Sequence, residues 1–407
     1  MPATSPEHTS LSVDIVIIGG GAAGLWLLNR AVNAGYNAVL FEQTALGSDQ
    51  SVASQGMIHG GVKYTLAGAL SGASEAIADM PAHWQRCLAG TGDVDLRRTH
   101  VLSEQFYLWS LPTTASRLTA FLASKALRGR VDVLEKIHYP AIFNSPEFKG
   151  SLYQLNDQVI DAPSLIANLR DNCLARIFSI DWQHAQLQKH NDGARLCFTQ
   201  ANYRYQIDSS LCVLAAGAGN VDLLQKLGID KPPMQLRPLQ QVIVRHQNHS
   251  ALFAHCVDRD SKPRLTISSH KDGDDSVWYL GGQLAEEGAL MPSDVLIQRA
   301  QQELQALFPW LDWTGARYSC LRVDRAEPKQ AGVTRPDNAF LSAAEALPRC
   351  LVAWPTKLAL VPNLGNRLMQ YLNEQHIQPR ASDTLPACFP RMHAVALAPW
   401  QSKIEAL

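Results

Sequence analysis

The chain has 407 residues, more than one ordinary hydrophobic core serves, so two domains are the natural prior. A hydrophobic share of 46% suits a globular protein, and a formal net charge of −1, with both signs mixed along the chain, argues against a nucleic-acid surface. The eight cysteines form no CxxC pair, so no metal centre is expected and the thiols read as isolated, in a reducing compartment.

The first residues are polar and lack a signal-peptide pattern. Residues 13–18, apart from Asp14, form an apolar, β-branched run that suits a strand covered on both faces. Glycines follow, then a helical pattern over 22–34 with Gly35 at its C-terminal stop. Residues 38–41 are a second short strand ending at Glu42, which completes one βαβ unit. The charge-free stretch 15–28 is shorter than the ~20 residues of a membrane span. A cytoplasmic location is expected, with peripheral contact at the inner face of the membrane left open.

A Ser-, Gly- and Gln-rich loop runs on to Gly61, and helical periodicity covers 72–88. Short mixed segments follow between 98 and 149. Asp161-Ala162-Pro163 reads as a capped helix start, continuing through Leu174. Residues 211–216 form another buried strand, and 240–245 and 276–281 read as sheet strands. Residues 293–307 are helical with Ser293 as cap, and 364–372 form the last long helix. The expected fold is α/β: a Rossmann-type parallel sheet with helices, plus an inserted antiparallel-sheet α+β substrate domain. The first would be assembled from 1–79, 151–220 and 335–380, the second from 80–150 and 221–334, with 381–407 as a tail.

Gly19-Gly20-Gly21-Ala22-Ala23-Gly24 fits GxGxxG, follows a strand, opens a helix and precedes Glu42. That context is what the dinucleotide fingerprint requires. Gly19 makes the tight turn, Gly21 lets backbone approach a diphosphate at the helix N-terminus, and Gly24 packs helix on strand. Glu42, with Gln43 beside it, would take the ribose hydroxyls. The polar loop beyond it suits a ligand that continues past the diphosphate, which favours FAD. Ser51 and Ser54 can donate to phosphate or ribityl oxygens, and Gln55, Gly56 and Met57 would line the flavin.

From Ser51 to Tyr64 the sequence reads SVASQGMIHGGVKY. It resembles the D-amino-acid-oxidase superfamily, and within it FAD-dependent glycerol-3-phosphate dehydrogenases, which typically read SSxSSKLIHGGLRY. His59, Gly60, Gly61 and Tyr64 match, and Lys63 replaces an arginine. Tyr318 to Arg322 resembles the family's YSGVR, and Gly332 to Arg335 its second arginine segment. Trp354-Pro355-Thr356-Lys357-Leu358 stands where the family has Tyr-Gly-Gly-Lys-Leu. Residues 211–219 resemble its second nucleotide-contact strand, with Ala216 and Gly217 passing close to the adenosine diphosphate.

The resemblance implies an FAD enzyme that transfers hydride from substrate carbon to flavin N5. Arg322 and Arg335 would clamp an anionic small-molecule substrate, Lys63 and Tyr64 would touch it, and Lys357 and Leu358 would lie at the flavin's pyrimidine end. His59 has three readings: a polar wall of the flavin and leading candidate base, a structural histidine, or a covalent tether. Oxygen, quinone or another carrier would take the electrons. The glycines before the late lysine are Pro355-Thr356 here, and the family's large C-terminal helical domain is missing. Three functions stay open: a dehydrogenase of glycerol 3-phosphate or a 2-hydroxy acid, an amine or amino-acid oxidase, and a catalytically silent flavin protein.

Overall fold

The computed structural model describes residues 7–60, 79–111, 131–200, 203–247, 250–258, 263–330, 338–380, 386–387 and 389–401. The apolar run after Leu11 sits in the middle of the first sheet, as strand Glu7–Ile18. It lies parallel between Tyr203–Leu214 and Ala38–Glu42, with Ile15 facing Leu211 on one side and Ala38 on the other. Leu347–Trp354 extends the parallel set beyond Tyr203–Leu214, and Ile177–Ser179 extends it beyond Ala38–Glu42. Asp14 is tolerated inside because its Oδ2 accepts from the Asn37 and Arg380 backbone N–H groups, at 2.8 and 3.2 Å.

Helix Ala22–Asn33 buries Leu25, Trp26, Leu27 and Leu28 against this sheet and against helices Ala162–Asn172 and Val361–Glu374. It stops at Gly35, which is left-handed (φ +89°). Asp161 caps the second of these helices by accepting from Ser164 N at 2.8 Å. The start expected at Ser293 differs: Pro292 holds the cap position of Ser293–Leu307, and no side chain caps it. Of the helix expected over 72–88, the described part is Met80–Leu88.

Among the described residues the second sheet has eight strands. In order they are Arg317–Pro328, Met234–His246, Asp275–Gly281, Pro263–Asp272, Ala254–Val257, Phe106–Ser110, Ser151–Leu155 and Val131–Val133. All neighbours run antiparallel except Ala254–Val257 and Phe106–Ser110. Ser151–Leu155, which the sequence assigns to the nucleotide unit, pairs here with Phe106–Ser110. A small third sheet pairs Met57–Ile58 and Val101–Ser103 with Gln158–Ile160.

Strand alternation gives the second sheet two different faces. Val242, Val244, Trp278 and Leu280 face Leu296, Ala300 and Leu304 of helix Ser293–Leu307, whose i, i+4, i+8 spacing makes one stripe. Each of those leucines contributes roughly 1.5–3 kcal/mol by leaving water. The other face, with Ile243, Val277 and Tyr279, is covered by Ala398 and Trp400 of the tail. The tail reaches it by way of the nucleotide sheet, where Leu46 N donates to Ala394 O and Ala396 N to Leu46 O. No helix among the described residues is long and apolar enough to cross a membrane.

Under the tail, His270 stacks on Trp400 with ring centroids 3.8 Å apart. Burial pushes its pKa down from 6.5 to about 3. Between these values the unfolded chain binds a proton that the folded chain does not. Stability contributed by this site is therefore full above pH 6.5 and is lost as pH falls toward 3. At pH 5 the loss is about 2 kcal/mol, at ~1.36 kcal/mol per pH unit. Urea unfolding at pH 7.5 and pH 5 measures it: His270→Leu should lose less stability on acidification than wild type, and equal losses would contradict the assignment.

Candidate active site

The glycine turn after the first strand is held in shape by its own amides: Gly19 N donates to Phe41 O at 2.9 Å. Gly20 N donates to Glu42 Oε2 at 2.6 Å, and Ala22 N to Ser51 Oγ at 2.9 Å. Glu42 Oε1 accepts from Gln43 N, Thr44 N and Thr44 Oγ1 at 2.8, 2.9 and 3.2 Å. Oε2 has one such bond, so lone-pair room remains for a ribose hydroxyl. Ser51 uses a lone pair on the helix, and its hydroxyl proton can turn to a phosphate oxygen.

A Cβ on Gly24 would lie 1.9 Å from Gly19 O, and one on Gly19 would lie 2.6 Å from Ala215 backbone. A Cβ on Gly21 would meet only Ser51 Oγ, at 3.1 Å. The first two glycines therefore hold helix and strand together, and the third keeps the helix N-terminus open to an anion. Ala22 and Ala23, both buried, keep the first turn small. This cradle fits a dinucleotide.

The second contact strand meets the same turn: Ala215 N donates to Ile18 O at 2.8 Å. Two residues without a role of their own in the sequence reading, Asn220 and Trp354, shape the chain beyond Ala215. Asn220, wholly buried, accepts from Ala216 N at 2.8 Å and donates to Ala353 O at 3.3 Å. Trp354 Nε1 donates to Gly217 O at 2.9 Å. Asn220 follows directly on Gly217-Ala218-Gly219, the only sequence hint that it had a structural task.

The loop after Ser51 binds the second sheet. Tyr279 Oη donates within reach of Ala53 O (3.1 Å) and Gln241 Oε1 (2.7 Å), and Gln55 Nε2 donates to Tyr279 O at 2.7 Å. Gln55 thus spends its amide on the sheet. Gly56 N donates to Ser54 Oγ at 3.2 Å. Gly56 is left-handed (φ +73°), and a Cβ there would lie 1.9 Å from Ile160 O. The chain then enters Met57–Ile58, reaches the buried His59, and is held at Gly60 N by buried Asp157 Oδ1 at 2.9 Å.

Lys357 is half-buried and extended, and the turn Leu358–Leu360 after it lies beside Met57–Ile58. Thr356 is left-handed (φ +63°) at a position where the resembled motif has glycine. A β-branched residue there is strained. Its Oγ1 offsets part of the strain by donating to Pro355 O or Asn338 O, at 2.6 and 3.3 Å.

Arg322 is not brought to this group. It pairs in register with Gln240, whose side chain reaches Ser293 on the helix-covered face, whereas neighbouring Gln241 turns to Tyr279. The Arg322 guanidinium donates to Ala289 O at 3.1 Å, lies 3.6 Å from Asp324, and its side chain is 56% exposed. Lys63, Tyr64 and Arg335 lie outside the described residues. The described cysteines are all free thiols. His83, Cys87 and Asp93 cluster between helices, but Arg30 Nε stands 3.2 Å from Asp93 and makes the group an ion-pair network.

The family model for FAD dependent oxidoreductases (DAO) matches residues 14–344. The probable FAD-dependent oxidoreductase PA4991 of Pseudomonas aeruginosa is 46% identical over 381 residues, covering 93% of this chain and 95% of that protein. Its crystal structure superposes with a TM-score of 0.82 at 40% identity, over 96% and 98% of the two chains. Glycine oxidase from Geobacillus kaustophilus superposes at 0.64, with 16% identity over 95% and 100%. L-α-glycerophosphate oxidase from Mycoplasma pneumoniae, with FAD bound, superposes at 0.62, with 14% identity over 95% and 100%. The last two likenesses are of fold.

Proposed function

Because the chain belongs to the DAO family of FAD-dependent oxidoreductases, we propose that it oxidises the amine-bearing carbon of a small amino or imino acid. The observation that carries this reading is the pair of side chains through which the second sheet meets the loop 53–56. Gln241 and Tyr279 are neutral and buried, with Gln241 Oε1 and Ala53 O both within reach of the one Tyr279 hydroxyl proton, while Arg322 lies on the opposite face. Burial raises the Tyr279 pKa well above its ordinary value, so the phenol stays a donor. A phosphate dianion calls for several charged donors, whereas one carboxylate is served by one or two. Lys63 and Arg335 are the proposed cations and Tyr64 a further substrate contact. Glycine oxidase and glycerophosphate oxidase both share the fold, so fold alone does not choose between amine and alcohol.

Bound FAD supplies the two-electron acceptor for the substrate's hydride. The chain's own residues do the rest. The Gly20, Gly21 and Ala22 turn with Ser51 holds the diphosphate, and Glu42 holds the ribose. Ala216 and Gly217 let backbone pass close to the adenosine half. Lys357 sets a positive charge near the pyrimidine end of the ring, and Met57 and His59 form a wall. His59 is the candidate to take the proton from the substrate nitrogen, with the flavin held non-covalently. Acid precipitation that leaves flavin in the pellet would refute that last point.

Arg322→Ala should leave kcat/KM within about two-fold of wild type, since an exposed guanidinium bound to a carbonyl and a neighbouring carboxylate contributes little. Arg335→Ala should lower it about ten- to a hundred-fold. A ten-fold fall for Arg322→Ala would restore the anion clamp and, with it, the hydroxy-acid or glycerol-3-phosphate reading.

A further inference from the structure

A cavity of about 370 Å³, lined by none of the residues assigned to FAD, lies between the start of helix Ala162–Asn172, the end of strand Pro263–Asp272 and the tail. Its size lies in the range of small-molecule sites. Phe253 and Trp400 give it aromatic walls. His270 also lines it, only 6% exposed, with one nitrogen 3.0 Å from Ser268 Oγ and the other, Nδ1, buried with no partner among the described residues. Lys271 stands at one side, its ammonium 2.9 Å from Ser276 Oγ. Asp161, also in the lining, is already engaged in capping the helix.

We propose that this cavity is a second ligand site, which takes a small planar aromatic acid whose ring edge carries an N–H. The ring packs on Trp400 and Phe253, where stacking and apolar burial act together. The carboxylate goes to Lys271, the charged donor of the lining that no described carboxylate holds. Burial keeps the His270 imidazole neutral, and in the proposed tautomer Nε2–H donates to Ser268 Oγ, which leaves Nδ1 as an acceptor. A buried acceptor without a donor is costly, and an N–H on the ligand's edge satisfies it.

Equilibrium dialysis of the FAD-loaded protein against indole-3-carboxylate tests the site. One molecule should bind per chain, with Kd about 0.1–1 mM for a ligand of this size. Lys271→Gln, an exposed change that leaves the fold alone, should weaken binding about ten-fold. 1-Naphthoate, which lacks the N–H, should bind about five-fold more weakly than indole-3-carboxylate. The flavin's visible band should not move in either titration. Absence of saturable binding up to several millimolar would overturn the proposal. So would binding that Lys271→Gln leaves unchanged, or that perturbs the flavin band, since the ligand would then sit elsewhere.

Discussion

Gly24→Ala should yield a protein that no longer retains FAD through purification. The added methyl would stand 1.9 Å from Gly19 O, and that oxygen belongs to the turn itself, so no flexible side chain can give way. Either the helix Ala22–Asn33 lifts off the first strand or the Gly19–Gly20 peptide rotates. Overpacking of this kind costs about 1–3 kcal/mol in stability. The larger loss is in binding, because the displaced turn sets the helix N-terminus at which the diphosphate is proposed to lie. Affinity should fall at least about a hundred-fold, or ~2.7 kcal/mol. Titrating apo-protein with FAD, followed by flavin fluorescence, measures it; wild-type affinity would mean that the diphosphate does not lie on this helix.

Glu42→Arg should abolish tight FAD binding while the rest of the chain stays folded. In wild type the carboxylate organises the strand end through Gly20 N, Gln43 N and Thr44, and one oxygen keeps room for the ribose. Hydrogen bonds to a charged group are worth ~1.5–3 kcal/mol, so the loss should reach at least ~2 kcal/mol, about thirty-fold. Arginine also sets a cation beside the positive end of the helix dipole. Glu42→Gln, which retains an acceptor, should fall between wild type and Glu42→Arg. Equal affinity for all three would remove Glu42 from the ribose.

What was legible in the sequence was local. The strand, glycine turn, helix and Glu42 form one contiguous stretch whose chemistry is set by neighbours within about thirty residues. The contacts missed act across the chain: Asn220 on Ala353, Trp354 on Gly217, Tyr279 on Ala53. Nothing in a run of residues announces such partners. Arg322 illustrates a different limit. The residues from Arg317 to Pro328 alternate too weakly in hydropathy to show which side faces the loop after Ser51, and only the pairing with Gln240 and Gln241 decides it. The tail carries no periodic signal, yet Trp400 closes a face of the second sheet. At Thr356 the sequence departs from the resembled motif, but the backbone keeps the glycine-like conformation.

The most direct measurement is anaerobic titration of the FAD-loaded enzyme with small amino acids, N-alkyl amino acids, 2-hydroxy acids and glycerol 3-phosphate, with the products then identified. An amino or imino acid should bleach the flavin's visible band and release a keto acid or aldehyde together with ammonia or an amine. Bleaching by glycerol 3-phosphate or a 2-hydroxy acid, with every amine inert, would contradict the proposed function.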